Sequence, residues 1–224
     1  MTIGVALDVT LKGIDLVADT AFLTLRGKMG YHHNLLGIKR LDAYEFSFET
    51  GNPPETLSKL KRFLNTQSLF YNRNKHSFSL RCRWEGGGLD EGMSIDHPHR
   101  QLVAQTRKSL AEARPEDFRS IGDKSRVMFS NVPVFRTEVL VEDLDPSVKG
   151  NLARKLEAEL STAPVAVSTL GISWHLALRA GSGEEARAVT EEIAVTEKRD
   201  RGLLLNPNYQ GFRFLKAERM ELGE

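Results

Sequence analysis

Apolar positions in the second half of the chain alternate first with a period of two and then at helical spacing. From Val134 to Glu142, Thr137, Val139 and Val141 fall on one face and Glu138, Leu140 and Glu142 on the other, the pattern of an antiparallel strand. Asp145-Pro146 then predicts a helix start, with a carboxylate able to cap free amides and a proline suited to the first turn. Leu152, Leu156 and Leu160 supply its apolar stripe, and the helix is expected to end by Thr162-Ala163-Pro164. Val165–Leu170 and Ile172–Leu178 read as two strands joined by a tight bend near Gly171. A second helix follows Gly181-Ser182-Gly183, where Ser182 or Gly183 caps and Glu184 and Glu185 favour the positive end of the dipole. Leu203-Leu204-Leu205 precedes a stop at Asn206-Pro207, and Tyr209–Leu215 forms the last strand.

The first half gives the same order. Val5, Leu7 and Val9 mark a strand. Asp15 to Lys28 is a helix with Phe22, Leu25 and Met29 on its stripe. Leu35–Leu41 and Ala43–Phe48 read as a central hairpin. Gly51-Asn52-Pro53-Pro54 opens a helix with Leu57, Leu60 and Leu64 facing inward, and His76–Cys82 closes the sheet. Leu36-Gly37-Ile38 recurs as Leu170-Gly171-Ile172, and Asn72-Arg73-Asn74 as Asn206-Pro207-Asn208, both displaced by 134 residues. The helices do not follow that displacement, because Leu57 would meet Glu191, so compensating insertions are required. The expected fold is therefore α+β: two tandem ferredoxin-like (βαββαβ) modules with antiparallel sheets, forming an intrachain pseudo-dimer. The expected boundaries are 1–83 for the first module, 84–133 for a partly helical connecting insert, and 134–224 for the second module. Within the insert, a helix is expected near Arg100–Ala113.

Composition bounds the class. The 224 residues are 40% hydrophobic and 27% charged, close to an average globular protein. The start lacks a basic region leading into a long apolar run, and no run approaches the ~18 apolar residues of a membrane span, so a cytoplasmic protein is expected. Cys82 is the single cysteine, which excludes an internal disulfide framework and a cysteine-based zinc cage. The formal charge of +1 is unevenly spread: residues 1–84 carry 12 Lys/Arg against 7 Asp/Glu, and residues 85–224 carry 19 against 23.

Between Thr56 and Trp84 there is no acidic residue, while Lys59, Lys61, Arg62, Arg73, Lys75, Arg81 and Arg83 are all present. From this block Lys59, Arg62, Arg73, Lys75 and His76 are the candidates for contact with phosphate or a protein partner. The plainer reading is a solvated helix face and an edge strand protected by charge. Asp96-His97-Pro98-His99 is the one cluster of metal-like composition, but its spacing is poor and no metal is assigned. Tyr31-His32-His33 offers titratable groups, of which adjacent strand positions would face opposite sides. No phosphate-binding glycine loop or nucleophile elbow occurs, and Cys82 takes an apolar strand position, so no catalytic residue and no cofactor is assigned.

Gly183-Glu184-Glu185-Ala186-Arg187, Leu203-Leu204-Leu205-Asn206-Pro207, Asp145-Pro146 and Leu170-Gly171-Ile172 together resemble the small subunit of phosphoribosylformylglycinamidine synthase. The resemblance covers about residues 135–217 and more faintly 4–82. Members of that family are single short modules, whereas two are fused here with an insert. The resemblance implies a ferredoxin-like protein without an active site of its own, pairing into dimers and bridging the glutaminase and synthetase of purine biosynthesis. It thus implies those two subunits as protein partners, with homo-oligomerisation also open. Two alternatives stand beside it. Tandem ferredoxin-like modules with a basic stretch also describe CRISPR RNA-processing endoribonucleases, in which Tyr31, His32 and His33 would act on RNA and Arg73, Lys75 and Arg81 would hold phosphates. The third reading is a ferredoxin-like sensor of a small molecule.

Overall fold

The computed structural model describes residues 1–66, 69–94, 97–112, 132–161, 165–195, 202–205 and 210–222. Its elements run β1 (Thr2–Leu11), α1 (Leu16–Gly27), β2 (Leu35–Glu49), α2 (Pro53–Thr66), β3 (His76–Trp84), β4 (Gly87–Gly92), α3 (His97–Glu112), β5 (Val134–Asp143), α4 (Pro146–Leu160), β6 (Val165–Arg179), α5 (Gly183–Ala194) and β7 (Gln210–Arg219). The seven strands form one antiparallel sheet in the order β4-β3-β1-β2-β6-β5-β7. With β4 set aside, each half runs strand, helix, long strand, helix, strand, and the sheet order β3-β1-β2 of the first half is mirrored by β6-β5-β7 in the second.

Both central hairpins expected from the sequence are instead single strands. β2 and β6 each run 15 residues without interruption. At Leu41-Asp42-Ala43, which has no glycine for a two-residue hairpin turn, the strand runs on because β1 pairs along it, Asp8 opposite Ala43 and Val9 opposite Asp42. Gly171 likewise sits inside β6 as a strand residue. The repeat also shifts. His76 and Gln210 open β3 and β7 at the expected displacement of 134, but β2 and β6, and the starts of α2 and α5, correspond at 130. Leu36-Gly37-Ile38 and Leu170-Gly171-Ile172 therefore occupy different places in their strands. At 130, the buried Thr56, Leu60, Phe63 and Leu64 of α2 match the buried Ala186, Thr190, Ile193 and Ala194 of α5.

The chain divides into two compact units that are interleaved in sequence. The first holds Met1–Ile14, Leu41–Ile95 and Glu142–Ile172; the second holds Asp15–Arg40, Asp96–Val141 and Ser173–Glu224. In the first unit, alternation along β1 sends Ile3, Val5, Leu7 and Val9 into a core with Phe46, Phe48, Leu80 and Cys82. Leu57, Leu60, Phe63 and Leu64 of α2 and Leu152, Leu156 and Leu160 of α4 cover that face. β1 lies between β2 and β3, with Val5 opposite both Phe46 and Cys82. Asn52 and Glu55 cap α2 reciprocally, Asn52 Oδ1 accepting from Glu55 N at 3.4 Å and Asn52 Nδ2 donating to Glu55 Oε2 at 3.1 Å. Asp145 caps α4 by accepting from Ser147 N at 2.8 Å, and Ser161 ends it in the left-handed region at φ 52°.

In the second unit, Asp15 caps α1 through Val17 N and Ala18 N, both at 3.1 Å, and meets Arg40 Nε at 3.3 Å. The buried stripe of α1 is Ala18, Ala21 and Leu25, rotated from the expected Phe22, Leu25 and Met29. Leu36, Leu102, Val134, Ala177 and Met220 form one core cluster. α3 comes so close to β2 that a Cβ at Gly37 would stand 3.0 Å from Leu102 Cδ1, and Gln105 Oε1 accepts from Ile38 N at 3.0 Å. Thr137 and Thr190 hydroxyls pair at 2.7 Å where β5 meets α5. The expected helix in the insert is thus present as α3, and β4 is an added strand. Ser120–Phe129 and Asn206-Pro207 lie outside the described residues.

The interleaving has a direct test. Leu156→Ala in α4 leaves a cavity in the core that β1 shares, and is expected to cost about 2–5 kcal/mol. Hydrogen exchange should show Val5 and Leu7 losing protection together with α4. Loss confined to β5 and β7 would contradict the assignment of α4 to the first unit.

Candidate functional site

Three of the five basic candidates, Arg73, Lys75 and His76, gather at one end of β3. Asn72 organises the turn before it: its Oδ1 accepts from Asn74 N at 2.9 Å, and its carbonyl accepts from Lys75 N at 2.9 Å and His76 N at 2.8 Å. The Asn72 amide donates to His76 Nδ1 at 2.9 Å, so the ring proton resides on Nε2. Across the ladder Leu11 faces His76, and the next residue, Lys12, donates its amide to Lys75 O at 2.8 Å and its ammonium to Arg73 O at 2.7 Å.

These groups line an open hollow of about 310 Å³ that includes Lys12, Arg73, His76, Ser77, Phe78 and Met93, all within the first unit. Tyr71 stacks on Phe78 with ring centroids 4.7 Å apart, backing the apolar wall. Gly92, at φ 96°, lets β4 close onto β3, since a Cβ there would run into Phe78 O. Among the described residues, no carboxylate lines the hollow.

Of the sequence candidates, Arg73 and His76 line this hollow, and Lys75 lies exposed in the same turn. Lys59 and Arg62 do not join them; both are exposed on α2, and Lys59 Nζ pairs with Glu55 Oε1 at 3.1 Å. Lys12 was not singled out from the sequence, because only the β1–β3 register brings it to Arg73. Much of the basic block is matched by acids from elsewhere. Lys61 meets Glu91 at 2.7 Å, Arg81 meets Asp8 at 2.9 Å and Arg83 meets Asp90 at 2.6 Å. With Lys59, that pairs four of the seven cations, and the Arg83 hydrogen bond lowers the Asp90 pKa. A second concavity, about 380 Å³, lies on the polar sheet face among Gly4, Ala6, Glu45, Ser47, Arg81 and Ser168.

The remaining candidates take other positions. Tyr31, His32 and His33 lie in the turn after α1 and not on a strand. The two imidazoles pack together with centroids 3.7 Å apart, so they do not point to opposite sides. His97 opens α3, and Asp96 lies outside the described residues. Among the described residues, no three or more His, Cys, Asp or Glu side chains gather as metal ligands. Cys82 is fully buried in the first core, and burial pushes its thiol up to about 11.

The second unit holds a polar cluster that sequence reading did not find. Glu138 Oε1 receives Arg136 Nη2 at 3.0 Å and Lys216 Nζ at 3.5 Å, and His175 Nδ1 lies 3.4 Å away. Glu218 Oε2 accepts from Arg136 at 3.1 Å and meets Lys216 at 3.2 Å. Burial, reinforced by the charges of Arg136 and Lys216 and by His99, holds the His175 pKa down at about 3. The ring is therefore neutral, and the two carboxylates balance the two cations. Only the alternation of Arg136 and Glu138 on β5 hinted at this group.

Together these features define a mixed α+β protein on a seven-stranded antiparallel sheet, and no helix among its described residues is long and apolar enough to cross a membrane. No family model matches this chain, and no curated protein or solved structure is detectably similar to it.

Two measurements check the buried groups. An unfolded histidine takes up a proton near pH 6.5, while His175 in the fold resists it down to about 3. Its contribution to stability is therefore intact above pH 6.5 and falls as pH drops from there towards 3, by up to about 1.4 kcal/mol per pH unit. His175→Gln should flatten the dependence of the urea midpoint between pH 6 and pH 4, roughly the middle of that window; an unchanged slope would refute the assignment. Cys82 should react with a thiol reagent at pH 8 only after denaturation, and rapid labelling of the native protein would show that its burial is wrong.

Proposed function

We propose that this chain is a non-catalytic interaction subunit, similar to the small subunit of phosphoribosylformylglycinamidine synthase, bridging glutaminase and synthetase components in the cytoplasm. The observation that supports it is the interleaved build. In the first unit, β1, then α4 with Val165–Ile172, then Leu41–Glu49, α2 and β3 follow the ferredoxin-like order of strand, helix, strand, strand, helix, strand. In the second, β5, then α1 with Leu35–Arg40, then Ser173–Arg179, α5 and β7 do the same. On this reading, two ferredoxin-like copies have exchanged their first helix and half of a long strand, and one chain holds what a dimer of single modules would hold.

Exposed aliphatic side chains give such a subunit something to dock with. Leu16, Val17 and Leu23 are exposed on α1, and Leu144 and Val148 are exposed at the start of α4. The RNA-processing alternative draws less support, since Arg81, one of its three phosphate-holding candidates, already faces Asp8, and Lys59, Lys61 and Arg83 around them also face carboxylates. The test is co-expression with a glutaminase and a synthetase of this pathway, followed by size-exclusion chromatography and a glutamine-dependent amidation assay. A ternary complex that depends on this chain, and is weakened by Leu16→Glu or Leu144→Glu, is expected. No complex, together with steeply salt-dependent RNA binding, would transfer the assignment to RNA processing.

A further inference from the structure

We infer that the hollow at the start of β3 is a binding site for a small phosphate monoester, a proposal that does not rest on the bridging role. Three kinds of basic donor converge there from two strands and one turn. The Lys12 ammonium is held by Arg73 O at 2.7 Å, which uses one of its three protons and leaves two. His76 accepts the Asn72 amide at Nδ1, so its Nε2 presents a hydrogen for donation. Arg73 sits at the corner of the turn that Asn72 fixes, and its guanidinium offers the planar fork that suits phosphate oxygens. Ser77 adds a hydroxyl, and among the described residues no carboxylate in the lining opposes an anion.

The hydrogen bonds that fix Lys12, Asn72 and His76 exist before any ligand arrives, so less ordering is required on binding. The other wall is apolar, formed by Phe78 against Tyr71 and by Met93. A ligand with one phosphate and a compact, partly apolar body matches both walls. The volume of about 310 Å³ is at the lower end for small-molecule sites and holds such a ligand. A nucleic-acid strand would need a longer run of free cations. Lys59, Lys61, Arg81 and Arg83 are each paired instead.

Titration of the full chain, followed by amide chemical shifts and calorimetry, tests this with inorganic phosphate, glycerol 3-phosphate, a nucleoside 5′-monophosphate, the uncharged glycerol and nucleoside, and a single-stranded RNA. At least one monoester should bind, shifting the amides of Asn72, His76 and Ser77, while its uncharged counterpart does not. Arg73→Ala and Lys12→Ala should each weaken it by about tenfold or more, with thermal melts showing both variants folded. Lys59→Ala should leave binding unchanged. If a variant fails to fold, Arg73→Gln and Lys12→Gln replace it in the same comparison. Absence of monoester binding, equal binding by the variants, or tighter binding of RNA than of every monoester would each overturn the proposal. Phosphate binding is read without partner proteins, so its failure leaves the bridging role standing, and failure of complex formation leaves this site standing.

Discussion

At about 3.3 Å per residue, a 15-residue strand reaches roughly 50 Å, and both β2 and β6 extend that far where a common strand has 5–6 residues. That length exceeds what one small hydrophobic interior covers, so each strand serves two. The division of the strand then divides the helices, because short connections keep each helix with the nearer part. α1 precedes β2 and goes with Leu35–Arg40, while α2 follows β2 and goes with Leu41–Glu49. For β6, α4 goes with Val165–Ile172 and α5 with Ser173–Arg179. Unbroken strands therefore account for the interleaving of the two units along the chain.

Within each unit the stabilising features are ordinary in kind and specific in placement. Period-two alternation on β1 fills the first core, and helical stripes on α2 and α4 close it. The second unit mixes apolar packing with the buried Thr137–Thr190 hydroxyl pair and with an ionic group in which Arg136 and Glu138 are largely buried while Lys216 and Glu218 reach towards solvent. A largely buried charge such as Arg136 or Glu138 is costly unless matched, and here the two face each other and the half-exposed Lys216 and exposed Glu218, beside a histidine kept neutral by burial. The lowered His175 pKa makes the second unit sensitive to acid.

Charge on the first unit follows a different logic. Carboxylates from Asp8, Glu55, Asp90 and Glu91 meet four cations of the basic stretch, most of them at partly exposed positions where each pair adds little stability. Their main effect is on the potential outside the protein. They offset four of the seven cations along α2 and β3; of the other three, Arg73 lines the hollow beside Lys12, Lys75 lies exposed in the same turn, and Arg62 stands apart on α2.

The sequence by itself determined the element types and most of their ends. Asp15, Asn52, Asp145 and Ser182 mark helix starts through their own side chains, and alternation in β1 fixes which residues face a core. These are local effects, acting within a few residues, so they are readable without the fold. Arg73 and His76 were likewise legible as basic positions. The tertiary structure decided the rest: whether Leu41–Ala43 turns or runs on, which helix each half-strand packs beneath, and that Lys12 joins Arg73. It also selected the 130-residue correspondence of the long strands over the 134-residue match of Leu-Gly-Ile. Each of these depends on contacts between residues far apart in the chain, whose energies no local spacing encodes.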